Sequence, residues 1–375
     1  MRSLLVVIGV TFFGLTACSN TTYTAPPPLK KTALPSGAAL RPFAANNPTR
    51  AAPQGIAAGP GGSAFIALTN LDANYGPGGP GLLVRLQPET GAQTVISLGG
   101  ADDHACTNAG VVKNDNGLLV AVCSGGFSGT GGRLVVEVNP QTNAVARSQT
   151  PPAGVQPSSV AVAASKVWVG DFSLPRLYSL SRSDFSVADG ADAAHKLIDL
   201  PCPGAYSYVA DLLVVGGSLF ALCGATDGII VRLDATTGAV KDSVGVGGQP
   251  VALAATGDGR VAVTNSTSDQ LSLVTPGATL TAQVNAVPFS KSATLSDVKA
   301  RGQFLYTVTS GTNAVQKIDL AAKDQAHLII AEQPTGAGSA PYGILPLDDN
   351  QAVVTNNLTG EVVGVNFAAA SSTAP

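Results

Sequence analysis

Short apolar runs of five to eight residues recur along most of the chain, alternate with polar positions and end at turns. Alternation of this kind is the mark of half-buried strands, and apolar residues almost nowhere recur at helical spacing. Ala191–Leu197 comes nearest to a helix, and it is short and sits in an insertion. One signature repeats: an alternating run ends in a small or polar residue, then come a polar turn and a second β-rich run. The copies are Ala64–Asn70, Leu118–Cys123, Lys166–Gly170, Ser218–Cys223, Arg260–Asn265, Gln303–Ser310 and Gln351–Asn356. Thr69, Cys123, Gly170, Cys223, Thr264, Thr309 and Thr355 hold matching positions, at steps of 41 to 54 residues. That period is close to the ~40–50 residues of a four-stranded propeller blade.

Each copy has the same flanks. An apolar strand precedes it, as at Gln54–Ala58, Ala109–Val112, Val209–Val215 or Leu295–Lys299, and a third strand follows, as at Leu82–Leu86, Ile229–Leu233 or Val315–Ile318. Asn116-Gly117, Asp258-Gly259 and Pro88-Glu89-Thr90-Gly91 supply turn chemistry between strands. The expected fold is all-β: a seven-bladed β-propeller of four-stranded antiparallel blades, with a six-bladed ring as the competing count. Residues 342–367 supply only three strands, so an N-terminal strand, Ala38–Ala45, is expected to close the last blade. Without it a sheet edge would lie bare.

The stretch Leu233-Asp234-Ala235-Thr236-Thr237-Gly238-Ala239-Val240, then Val246-Gly247-Gly248-Gln249-Pro250, then Asp258-Gly259 and Val263-Thr264-Asn265, resembles the YVTN-type (NHL-like) propeller repeat. Val353-Val354-Thr355-Asn356 repeats its ending. The resemblance spans about residues 52–367, strongest in the middle. It implies a fold and leaves function open, because propellers host lyases, lactonases, dehydrogenase subunits and scaffolds alike.

The N-terminus departs from the strand pattern. Arg2 is followed by an apolar run from Leu4 to Leu15 and then by Leu15-Thr16-Ala17-Cys18. A charged start, a short apolar core and a small-residue cleavage site describe a signal peptide over residues 1–17. The Leu-Thr-Ala-Cys ending resembles the bacterial lipobox, which implies that Cys18 becomes the acylated first residue and anchors the protein in a membrane. An ordinary secretory signal is the alternative. Ser19 at the sorting position then implies the outer membrane in a Gram-negative host, and the cell surface otherwise. Residues 18–37, with Pro26-Pro27-Pro28, read as a flexible tether, residues 38–367 as the propeller, and residues 368–375 as a loose tail.

Composition fits an exported protein. Only 12% of residues are charged and the formal net charge is -3, so there is no basic footprint for nucleic acid. With Cys18 lipidated, Cys106, Cys123, Cys202 and Cys223 remain. One member of each pair precedes an innermost strand and the other ends the next, which antiparallel pairing brings together. We therefore expect disulfides Cys106–Cys123 and Cys202–Cys223. Metal binding is the alternative, without Cys-x-x-Cys spacing to support it.

Catalytic signatures are sparse. His104 lies in the polar loop Asp102-Asp103-His104, His195 in the insertion at 184–197 and His327 in a fourth strand, with no evident acid–base pairing. There is no Gly-x-Ser-x-Gly elbow and no His-Glu-x-x-His. The glycine-rich stretches Gly76–Gly81 and Gly125–Gly132 join strands and open no helix, so they read as surface loops. Trp168 reads as packing between blades. Asn70, Asn265 and Asn356 end equivalent strands, where they either bond the following turn or ring the channel mouth as ligand contacts. Asp211 and Asp297, on innermost strands of alternate blades, are the carboxylates to watch there. The function expected is a non-enzymatic, lipid-anchored binding or scaffold module, needing no cofactor, for an envelope protein or glycan. The alternative is a lactonase- or lyase-type enzyme acting at the channel mouth.

Overall fold

A computed structural model describes residues 31–34, 51–72, 76–126, 131–189, 197–322 and 328–369. Cys18, Ala38–Ala45, His195 and His327 lie outside them, as do the residues read as a signal peptide, most of those read as a tether and the end of the stretch read as a tail. The described residues form seven antiparallel sheets, essentially without helix. In each sheet the first strand is innermost: Pro53–Ala58, Ala109–Asp115, Pro157–Val162, Tyr208–Val215, Pro250–Ala255, Leu295–Arg301 and Pro341–Pro346. We number the blades one to seven in that order. Each innermost strand touches its counterparts in the neighbouring blades, and blade seven meets blade one, so the ring closes.

The repeated run is the second strand of every blade. Ala64–Leu68 and Leu118–Ser124 are buried almost throughout, because each is covered on both faces by a neighbouring blade. Each of the seven interfaces accordingly holds its own apolar cluster. Trp168 fills the one between blades three and four, fully buried, and its indole Nε1 donates to Ala235 O at 2.8 Å. The disulfides Cys106–Cys123 and Cys202–Cys223 form as expected, with Cα–Cα distances of 5.4 and 5.7 Å. Cys123 lies opposite Ala109 and Cys223 opposite Val209, so each bond ties the approach to an innermost strand to its partner.

Two details differ from the sequence pattern. Blade three has a split outer edge, Val187–Asp189 and Ile198–Asp199, both paired with Arg176–Ser181. Blade seven is indeed completed by an N-terminal strand, but the strand described is Thr32–Ala33, inside the stretch read as tether. Thr32 pairs with Val362 and Ala33 with Glu361, Leu34 N donates to Gly360 O, and Gln93 Nε2 donates to Ala33 O. Leu34 is buried in the cluster between blades seven and one, so side-chain packing holds a strand of only two residues.

Candidate functional site: the central cavity

Every innermost strand shifts register against its second strand near its start. A bulge of this kind re-aims side chains, and here it turns them toward the ring axis. Gln54, Gly110, Ser158, Ala210, Val251, Ser296 and Tyr342 are the residues so displaced, and all line one central cavity of about 590 Å3. Six of them are small or of modest size; Tyr342 alone is a large aromatic. The bulges sit at the end of the ring where second strands finish, and the Phe172 loop of blade three rises there beside Tyr208. The Phe172 and Tyr208 ring centroids are 5.1 Å apart. Phe172, Tyr208 and Tyr342 thus give the cavity an aromatic mouth.

Below the mouth lie charged residues. Asp211 Oδ1 accepts from Lys113 Nζ at 2.7 Å and from Leu212 N at 2.8 Å, while its Oδ2 accepts from Leu253 N of blade five at 2.9 Å. Asp297 repeats the arrangement: Lys299 Nζ at 2.6 Å, Val298 N at 2.9 Å and Ile344 N of blade seven at 3.1 Å. Inner-strand amides beside the axis have no further strand to pair with, and a carboxylate from the preceding blade satisfies them. Seryl and threonyl hydroxyls do the same for carbonyls: Ser158 Oγ donates to Val209 O and Thr355 Oγ1 to Gln54 O. Lys113 belongs to blade two and Asp211 to blade four, so this ion pair reaches past blade three along the cavity wall. Burial alone would lower the Lys113 pKa, but the carboxylates of Asp211, Asp115 and Asp297 outweigh it and hold the ammonium above its ordinary value. The Tyr342 phenol is pushed up to about 12, first by burial among the walls and then by Asp297, Tyr208 and Asp211. The residue is 40% exposed and lines the cavity.

Asp211 and Asp297 therefore stand in one cavity. Asn70, Asn265 and Asn356 do not line it. All three are fully buried, and their Nδ2 atoms donate to Pro80 O, Val246 O and Thr335 O at 2.7, 2.9 and 3.1 Å, clamping the loops at the blade ends. The cysteines flank the site as disulfides. His104 is exposed in a turn where its N donates to Asp102 Oδ1. Among the described residues, no group of three or more His, Cys, Asp or Glu stands together as a set of metal ligands. Pattern reading missed Lys113, Lys299, Phe172, Tyr208 and Tyr342. A lysine in the otherwise apolar run Val111-Val112-Lys113 was the one available signal.

No protein-family model matches the chain, and no curated protein matches it. Solved structures do resemble it in fold. Streptogramin B lyase superposes with a TM-score of 0.66 at 13% identity, covering 90% of this chain and 96% of that one. Virginiamycin B lyase from Staphylococcus aureus gives 0.62 at 14%, covering 84% and 94%. BamB from Moraxella catarrhalis gives 0.51 at 15%, covering 87% of each. At these identities the likeness is one of fold alone.

Proposed function

We propose that the chain is a non-enzymatic binding module of the bacterial envelope, anchored by acylated Cys18, which takes a protein or other ligand on the cavity-mouth face. The placement of exposed apolar side chains carries this reading. Among the described residues the large ones are Val95, Val240, Val284 and Ile330 on outermost strands, and Phe172, Leu174, Tyr206, Tyr342 and Leu358. The second group lies wholly on the mouth face, and concentrated exposed apolar surface marks interaction sites. Tyr206, 95% exposed, sits in the loop that the Cys202–Cys223 disulfide pins. The YVTN-like repeat pattern suits such a rigid platform, and the tether would let it range over the membrane surface. The second reading, a lyase-type enzyme, is favoured by the perturbed Lys113 and Tyr342 within one cavity, since such groups gather at functional sites. Against it, two of the three cavity carboxylates, Asp211 and Asp297, are already committed to backbone amides and lysines.

The test is site-specific photocrosslinking in intact cells, with metabolic lipid labelling of the same chain. Crosslinks should form from Tyr206 and Leu358 and not from Val95 or Val284, and Cys18→Ala should abolish label. Crosslinks confined to the outermost strands, or none at the mouth face, would sink the binding reading; label persisting in Cys18→Ala would sink the anchor.

A further inference from the structure

The ionisable residues on the cavity wall are Lys113, Asp115, Asp211, Asp297, Lys299, Tyr208 and Tyr342. With both tyrosines neutral, three carboxylates face two ammonium groups. The two lysines are bound to Asp211 and Asp297, which leaves the wall one negative charge in excess, at Asp115, the last residue of the blade-two innermost strand and so at the end of the cavity away from the mouth. Among the described residues, no arginine or histidine lines the cavity. An anion entering would find every ammonium already engaged by a carboxylate, whereas a cation would complete the charge balance. The mouth adds a second, independent preference: Phe172, Tyr208 and Tyr342 present aromatic rings around the opening. Ring faces carry negative quadrupole density and attract cations, most strongly where water is partly excluded. The volume of about 590 Å3 falls within the roughly 300–1,000 Å3 that suits small molecules.

We propose that the central cavity binds a small organic ammonium ion, a quaternary or alkylated amine of about choline's size, with its cationic head held by the Tyr342, Tyr208 and Phe172 rings above the Asp211 and Asp297 carboxylates. This rests on the binding-module reading and names the ligand class of its site. An organic cation suits the mouth better than a metal ion, because the Asp211 and Asp297 oxygens are occupied by amide and ammonium donors and the open surface is aromatic. Quaternary ammonium groups are weakly hydrated and donate no hydrogen bonds, so they need only what this cavity offers: aromatic rings at its mouth and a net negative charge along its wall. Tyr342 is the specificity-determining residue, since the equivalent bulge positions of the other blades carry no aromatic side chain.

Isothermal calorimetry on the full chain in non-ionic detergent compares choline and tetramethylammonium with 3,3-dimethyl-1-butanol, the neutral isostere of choline. The cations should bind at least about tenfold tighter than the alcohol, a gap set by charge–ring and charge–charge attraction. Tyr342→Leu should weaken choline binding several-fold while leaving the urea midpoint in place. Equal affinity for choline and its isostere, no heat with choline, or unchanged binding in a folded Tyr342→Leu protein would each overturn the proposal. Crosslinks from Tyr206 and Leu358 that persist when choline gives no heat would remove the ammonium ligand and leave the binding-face reading standing. Absence of crosslinks alongside tight choline binding would do the reverse.

Discussion

Replacing Asp211 by asparagine removes one charge and keeps the shape of the side chain. In the native ring that carboxylate holds three donors: Lys113 Nζ, Leu212 N and the Leu253 amide of the next blade. Its side chain is 14% exposed and that of Lys113 22%, so the pair is mostly removed from water. Taking one partner from a buried ion pair costs about 3–5 kcal/mol, because the other charge stays behind unneutralised. Residual exposure softens this, and we expect Asp211→Asn to destabilise by about 2–3 kcal/mol. Asp349→Asn is the control: its contact with Arg301 is 3.8 Å long with side chains 61% and 47% exposed, worth under about 1 kcal/mol.

The assay is equilibrium urea unfolding followed by fluorescence of Trp168, the chain's one tryptophan, which sits at the interface of blades three and four. Adding Lys113→Met to Asp211→Asn should recover part of the loss, since the stranded ammonium goes with it. Two outcomes would refute the reasoning: a midpoint shift for Asp211→Asn no larger than for Asp349→Asn, or a double variant less stable than Asp211→Asn by the full cost of Lys113→Met. Either would mean that the carboxylate acts as a polar spacer and that its charge is not needed.

Three further outcomes follow from the same contacts. The paired substitution Cys202→Ala with Cys223→Ala, which opens a bond of sequence separation 21, should cost about 3 kcal/mol in the chain-entropy model, read as a lower urea midpoint without reductant and a smaller further drop when reductant opens the remaining Cys106–Cys123 bond. Asp258 is held down to about 2, first by the Arg260 guanidinium and then by the Thr256 hydroxyl and the Arg260 amide. Its folded pKa lies below the unfolded ~3.9, so its contribution is present above about pH 4 and lost as pH falls toward 2; Asp258→Asn should flatten thermal stability across that window. Removal of every residue through Leu34 should cost about 2 kcal/mol for the buried leucine and bare the outer edge of Glu361–Asn366, giving concentration-dependent light scattering. A truncated chain that stays monomeric with an unchanged midpoint would show that Thr32–Ala33 does not close the ring.

The second strands could be read from sequence to within about two residues because each is a short apolar run that ends in a small or polar residue, although burial on both faces makes them more continuously apolar than the alternation of half-buried strands. The disulfides were equally legible, since antiparallel pairing alone puts Cys123 and Cys223 opposite the starts of the innermost strands. That an N-terminal strand closes blade seven was legible too, but its residues were not. Two residues carry no period, and Leu34, the side chain that secures them, lies next to a proline-rich stretch that reads as linker. The Lys113–Asp211 pair spans 98 positions and two blades, a distance over which no local pattern speaks.

The cavity was hidden for a different reason. Alternation tells inward from outward only while the register holds, and each innermost strand breaks register where it meets the cavity. Tyr342 reads as an ordinary strand residue until the bulge turns it to the axis. That same break uncouples part of the mouth from the core: Ala210 still packs against the cluster between blades four and five, but none of the seven apolar clusters contains Tyr342 or Phe172. The ring can therefore change what its mouth presents at little cost to what holds the blades together. For that reason Tyr342→Leu separates ligand recognition from folding, whereas substitution of Asp211, bonded to two blades at once, cannot.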